Sequence, residues 1–434
     1  MRSEAIPKEM YRRYFLALMS LVSCGLGLVA LGNWLTDPFN LYGTARYIGI
    51  SEFKPFAYYY EPQTKKYMLD RIRPEILILG NSRPDYGLNP RHIWRDGPAT
   101  YNAAYGGGSF VGAMYYFRRA LDQGTLRQVV LAVDSDMFAR GKRALNVVNS
   151  GVDDLFNIEM QDKTVSKGME QADWWAPLFS LDSVEASAKT LICHGEKHKY
   201  ELMQSGNTRI HQELFEDSAK QRFAEMEKRW ARKLYHPDDG GAASFAVGPR
   251  KLKSYRKLLR LAYASGIDMS IYINPSHARK YLLYRAAGQE EQILDWKRAV
   301  VRVNEEEAQH AGRRAFPVWD FLGFDRYSSE TVTDSVRMQW WVEASHYTEA
   351  LGNKVLDRLF DNSPDMEFGA KIDDSNIEEH IGKLRKASLS YWNNHPEDAK
   401  DIEAVIQEAI RYAKSGYLES VSEPIQTVGY CDSN

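Results

Sequence analysis

A serine directly after a buried strand, a glycine run after the next strand, and a distant histidine with a carboxylate three residues ahead of it are the parts of a nucleophilic site. This chain carries all three. Gly80-Asn81-Ser82-Arg83 follows the apolar run Glu75–Gly80 (EILILG), which points the Ser82 hydroxyl into a cleft where a base would make it a nucleophile. His346 is the candidate base. Glu343 precedes it by three residues, about one helical turn, and can reach the imidazole and hold its tautomer. In Tyr101–Gly108 (YNAAYGGG) the glycines leave backbone N–H groups unscreened by side chains, and Gly106 or Gly107 is the candidate donor to a developing oxyanion.

These residues need a scaffold that gathers distant loops. Five short apolar runs, near 75–80, 99–102, 128–134, 268–274 and 315–321, alternate with helical patterns. That rhythm predicts an α/β fold, a three-layer doubly wound parallel sheet of five strands, in which loops at the carboxyl ends of the strands carry the chemistry. Reading those loops adds Asp134-Ser135-Asp136 after the third strand and Asn274-Pro275-Ser276-His277 after the fourth. His277 is a candidate substrate contact and otherwise structural. Arg83 stands beside Ser82 as another contact, and Trp341 suits either stacking on a sugar ring or the core. The long gap between strands three and four predicts a helical insertion over about 181–240, the segment 37–63 reads as an extended lead-in, and 363–434 as a helical appendage with a loose tail.

The 434 residues carry a formal net charge of −2, which gives no reason to expect nucleic acid as a partner. The three cysteines, Cys24, Cys193 and Cys431, form no CxxC pair, and no His, Cys or carboxylate set shows metal-ligand spacing, so no cofactor or metal is expected. Cys193 and Cys431 stand either as a disulfide or as two thiols. Tyr14 to Leu35 is an uncharged run of 22 residues. As a helix it would reach roughly 33 Å, enough for a bilayer core, and it exceeds the apolar region of a cleaved signal. Arg2, Lys8, Arg12 and Arg13 precede it, Asp37 follows, and Trp34 takes an interfacial place. The expectation is a single-pass anchor over 14–35 with residues 1–13 in the cytoplasm and the main domain, 36–362, outside. Leu21-Val22-Ser23-Cys24 also fits a lipoprotein box, although the chain stays apolar well beyond Cys24.

On these blocks the chain resembles the SGNH/GDSL hydrolase superfamily, and within it the membrane-anchored branch related to alginate and other exopolysaccharide O-acetylation proteins. The resemblance runs from about Asp37 to Phe360. It is carried by LILGNSR (77–83), YNAAYGGG (101–108), INPSHARKY (273–281) and WVEASHYTEALG (341–352). It implies a triad of Ser82, His346 and Glu343, with the N–H groups of Ser82 and of Gly106 or Gly107 as oxyanion donors. It also implies a polysaccharide substrate, O-acyl transfer or ester hydrolysis in the periplasm, and a multi-spanning membrane acyltransferase as partner. Two residues depart from the superfamily pattern. Glu343 replaces the usual aspartate, and AVDSD (132–136) puts Asp134 or Asp136 where an asparagine donor is usual. An ionised carboxylate cannot donate, so either Asn274 or another group substitutes, or the site is weaker than in the simple esterases. The rival expectation is a non-catalytic glycan-binding or scaffolding subunit.

Overall fold

The computed structural model describes residues 8–47, 51–139, 152–154, 156–157, 160–161, 163–192, 198–235, 245–361, 365 and 367–415. Cys193 and Cys431 lie outside these residues. The chain divides into two compact units, one from residues 1–67 with 158–197 and the other from 68–157 with 198–434.

In the first unit, helix α1 (Lys8–Thr36) contains the whole uncharged run in one uninterrupted helix, with Cys24 exposed on it. It is long and apolar enough to cross a membrane. Its side chains are exposed as far as Val29, Ala30 is partly covered, and Asn33 and Thr36 are buried. The lead-in that follows is less extended than the composition suggests, because Pro55 opens a short turn of helix at Phe56–Tyr59 and a longer helix, α2, runs over Glu61–Ile72. Asp37 holds the bend between α1 and the lead-in. Its carboxylate accepts from the Leu41 and Tyr42 amides at 2.8 and 3.2 Å and pairs with buried Lys54 at 3.2 Å. Two more helices, α5 (Lys163–Phe179) and α6 (Leu181–Ile192), complete this unit and pack on α1.

The second unit is built on a sheet in the order β2-β1-β3-β6-β7-β8, with β1 (Ile76–Leu79), β2 (Thr100–Asn102), β3 (Gln128–Val133), β6 (Asp268–Ile273), β7 (Val318–Asp320) and β8 (Ala370–Ile372). The first five are parallel. Strand order reverses between β1 and β3, and a site formed at the carboxyl ends of these strands falls at that switch point. Alternation along the strands gives two apolar faces. One, with Ile76, Ile78, Val130, Ala132 and Tyr272, packs against Leu351, Val355 and Leu356 of α11 (Glu349–Leu359). The opposite layer contains α4 (Phe110–Asp122), α8 (Pro249–Ser265) and α10 (Glu290–Ala311).

Two segments differ from the sequence expectation. The stretch over 181–240 is helical over 181–192 and 219–234, as expected, but it is shared between the two units and also carries strands. It contributes α6 to the first unit, and to the second an antiparallel hairpin, β4 (Tyr200–Leu202) and β5 (Thr208–Ile210), followed by α7 (Ala219–Leu234). In the region expected as a helical appendage, residues 367–415 are mostly helical but are joined to the sheet. β8 pairs antiparallel with β7 as a sixth strand, and α12 (Ile377–Asn394) and α13 (Pro396–Ser415) pack into the second unit. Arg279, on α9 (Ala278–Ala286), ties them in by pairing with Glu227 of α7 and Asp398 of α13.

Candidate active site

Strand β1 ends at Leu79, and the chain turns at once into a six-residue helix, α3 (Ser82–Gly87). Gly80 makes the turn possible, because a Cβ there would lie 2.6 Å from the Pro84 side chain and 2.9 Å from that of Ala132. The Asn81 side chain caps the helix by accepting from the Arg83 amide at 3.1 Å. Ser82 therefore opens α3 at the carboxyl edge of the sheet. Its Oγ lies 2.7 Å from Nε2 of His346.

His346 and Glu343 sit in a closed loop ahead of α11, not on a helical turn. A bridge between Trp341 and Tyr347 closes the loop, with the Val342 amide donating to the His346 carbonyl at 2.9 Å. The Glu343 carboxylate fills it. One oxygen receives Nδ1–H of His346 in a very short contact and the His346 amide at 2.8 Å, and the other receives the Ser345 amide at 2.8 Å. Burial opposes the charge on Glu343, but the facing imidazole and these donors outweigh it and hold the carboxyl below its ordinary range. With Nδ1 donating to Glu343, Nε2 is the acceptor, so the Ser82 hydroxyl donates to it. Beneath the loop, Arg222 of α7 donates to the Val342 carbonyl at 3.0 Å.

Two pairs of glycines set the spacing of these parts. A Cβ on Gly108 would come within 2.2 Å of the Gly80 carbonyl oxygen, so the glycine block rests bare backbone on the turn that carries Ser82. Gly106 and Gly107 occupy the middle of a tight turn closed by the Gly108 amide on the Tyr105 carbonyl at 2.9 Å, and Gly107 takes a φ of +67°. A Cβ on Gly352 would overlap the Gly87 carbonyl oxygen at 1.8 Å, and one on Gly87 would overlap the Tyr347 ring. The helices that carry Ser82 and follow His346, α3 and α11, thus touch backbone to backbone.

Asp134, at the end of β3, is the hub beneath the serine. It is buried and accepts from Asn81 Nδ2 at 2.7 Å, from Asn274 Nδ2 at 2.9 Å, and from Nη1 of Arg83 in a very short ion pair. Asn274 also accepts from the Tyr347 hydroxyl at 2.9 Å. Both ends of that amide are engaged in the interior, so the expectation of Asn274 as an oxyanion donor is not met by its placement. Arg83 is likewise drawn inward, with its second terminal nitrogen 3.6 Å from Asp136, and does not present itself to a substrate. Burial pushes the Asp136 carboxyl up, against the nearby charges of Arg83, Lys233 and His346.

The two remaining candidates are structural. His277 caps α9, with Nδ1 accepting from the Arg279 amide at 3.2 Å and Nε2 donating to the Glu330 carbonyl at 2.7 Å. It is buried edge-on against the Phe223 and Trp341 rings, and burial holds its pKa down at about 4. Trp341 is fully buried with its indole N–H on the Tyr327 carbonyl at 2.7 Å, so it belongs to the core and not to a sugar-stacking surface. The aromatic rings beside the imidazole are others. Tyr86 of α3 lies 5.0 Å from the His346 ring, and Tyr200 of β4 lies 5.9 Å from Tyr86. Sequence gave Tyr86 a weak signal, four residues after Ser82 on one helix, and gave Tyr200 none. Among the described residues no group of three or more His, Cys, Asp or Glu is placed to hold a metal ion.

No protein-family model matches the chain, and a search of curated proteins also finds no match.

Proposed function

We propose that this chain is a membrane-anchored serine O-acyltransferase or esterase of the SGNH type that acts on a polysaccharide in the periplasm. The observation that carries this reading is the continuous chain from Ser82 Oγ through the His346 imidazole to the buried Glu343 carboxylate. In the proposed reaction Ser82 attacks the carbonyl carbon of an acyl ester while His346 Nε2 takes its proton. His346 returns that proton to the departing alkoxide, which leaves an ester on Ser82. A sugar hydroxyl or water then attacks the acyl-enzyme, His346 takes up its proton, and Ser82 regains the proton as it leaves. The amides of Ser82 and of Gly106 or Gly107 are the candidate donors to the tetrahedral oxyanion, and Tyr86 and Tyr200 are the candidate surface for a sugar ring.

Helix α1 supports the anchor, and the basic residues before it support an inside N-terminus. An anchored enzyme of this kind suits a tethered source of acyl groups, such as a multi-spanning membrane acyltransferase. The second reading, a glycan-binding or scaffolding subunit without catalysis, is favoured by one observation. The strand-three acid Asp134 locks the Asn274 amide inward, which leaves backbone donors alone for the oxyanion.

The test incubates the full-length protein in detergent with an activated acetyl ester and acetyl-accepting oligosaccharides. Acetate on Ser82 that passes to a sugar supports transfer, and acetate released to water without acetylated sugar selects the esterase. Glycan binding with no acyl-enzyme, in a protein whose Ser82 resists serine-directed probes, would establish the non-catalytic reading.

A further inference from the structure

The first unit carries a second apolar feature beside the span. Residues 174–181, WWAPLFSL, are an uncharged run at the end of α5 and the start of α6, bracketed by Asp173 and Asp182. Leu178 is buried and Trp174 packs edge-on against Tyr42 and Tyr67, but the larger apolar side chains around them face outward. Trp175 is 58% exposed, Phe179 49% and Leu181 84%, and Val184 on the next turn is also exposed. In water such a cluster on a helical tip is a liability, so its surroundings decide what it is for.

Two hydrogen bonds fix its depth relative to α1. The Trp174 carbonyl accepts from the Tyr42 hydroxyl at 2.8 Å, beyond the end of α1. Four residues further on, the Leu178 carbonyl accepts from Asn33 Nδ2 at 3.0 Å, in the last turn of α1. Helix α5 therefore descends antiparallel to α1. The chain turns at Ser180, and α6 climbs back past the same level, where Ser187 donates to Asn33 Oδ1 at 2.9 Å. Everything between Leu178 and Ser187 lies at or below Asn33, towards the middle of the uncharged run. Ala30, one turn down, is partly covered. From Leu35 to Ala30 is about 8 Å along a helix, which matches the depth at which interfacial helices sit.

We infer that the α5–α6 tip is a second membrane contact, seated in the lipid interface beside α1 on the side of its C-terminus. The inference rests on the reading of α1 as a membrane span. The occupant is lipid because the tip lies alongside the span itself, where the medium around α1 is the bilayer. Eight uncharged residues are too few to cross, and exposed Asp182 at the foot of α6 keeps the insertion shallow. Asp173, at the upper end of the run, is already paired with Lys66 at 2.9 Å. Lys189, further up α6, pairs with Glu185.

Full-length protein in lipid nanodiscs tests this, and native Cys24 supplies the reference because it sits midway along the uncharged run. One variant keeps Cys24 as the sole cysteine. Two others carry Leu181→Cys or Lys189→Cys in a background with all three native cysteines changed to serine. Each is labelled with a fluorophore and titrated with lipids spin-labelled near the headgroup or near the chain end. The expected result is that the Leu181 label loses most of its emission to the shallow quencher and the Cys24 label to the deep one, while the Lys189 label, about 3 Å above the level of Asn33, is quenched less than the Leu181 label by either. A quenched Cys24 label with an unquenched Leu181 label overturns the tip contact and leaves the anchor standing. An unquenched Cys24 label removes the anchor reading and this inference with it. A Leu181 label that escapes lipid quenching but crosslinks to another protein in native membranes overturns lipid as the occupant.

Discussion

Glu343 holds the imidazole tautomer and closes its own loop on two amides, and in the proposed reaction the same carboxylate stabilises the imidazolium formed when Ser82 gives up its proton. Glu343→Gln removes the charge and places an N–H₂ against a donor. If it faces Nδ1, it turns the imidazole so that Nε2 carries the proton and cannot accept from Ser82. We expect turnover, read with an acetyl ester, to fall by roughly 10²–10⁴-fold in a protein that remains folded by circular dichroism. Wild-type turnover would reduce the site to a Ser–His dyad. His277 makes a stability prediction instead. The fold keeps it neutral down to about pH 4, whereas an unfolded histidine titrates near its ordinary value of 6.5. Its folded pKa is depressed, so the unfolded chain binds the extra proton between those values. The stabilising effect is complete above pH 6.5 and is lost as pH falls towards 4, about 3 kcal/mol in all. His277→Gln keeps a donor towards the Glu330 carbonyl and should flatten the denaturant-midpoint profile across that window. An unchanged slope would mean that other groups dominate it.

At the scale of elements, the contact between α3 and α11 sets the distance from Ser82 to His346. Gly352→Ala would drive a methyl into the Gly87 carbonyl, and neither backbone has a flexible side chain to move aside. Overpacking of this kind costs about 1–3 kcal/mol. It should also separate Ser82 from His346, so covalent labelling of Ser82 should fall by more than the drop in melting temperature explains. A variant that labels at the wild-type rate would show that the two helices can part without opening the site. These elements also show what the sequence disclosed. The parallel strands were legible because they are short runs that are mostly buried, all four residues in β1 and five of six in β3 and β6, and the Ser82, Glu343 and His346 side chains because they sit on the loops such strands lead into. What stayed hidden depends on tertiary contacts. β8 is three residues long (AKI), too short for any periodicity, and is a strand only because the edge of β7 is there to pair with it. Asn274, Arg83, His277 and Trp341 were placed near the cleft by topology, but Asp134 and the Tyr327 and Glu330 carbonyls turn them inward. A one-dimensional reading finds the loop a residue belongs to, not the direction its side chain takes.

For the molecule as a whole, the residues beyond 361 matter because they cover groups that the sheet cannot leave bare. Asp320 ends β7 fully buried, paired with Lys297 of α10 and, at 2.7 Å, with Nε2 of His380 on α12. Burial works against its charge, but Lys297 and His380 prevail and hold the carboxyl down at about 2. Without residues beyond 361, three things happen together. The β7 edge loses its partner and exposes a row of unpaired amides and carbonyls. The Lys297–Asp320 pair loses the third member that covers it. Arg279 loses Asp398, and the apolar faces of α7 and α9 lose α13. Each loss is worth a few kcal/mol at most, yet a typical domain has only about 5–15 kcal/mol in total. A chain ending at Asp361 should therefore be recovered as aggregate, or as a species digested by protease at concentrations that spare the full chain, even though it retains Ser82, Glu343 and His346. His380→Ala, which removes the 2.7 Å contact with Asp320, should act in the same direction but mildly. If the chain ending at Asp361 instead stays soluble and still labels at Ser82, the five parallel strands with their helices are self-sufficient, and β8, α12 and α13 do no more than cover an already stable edge.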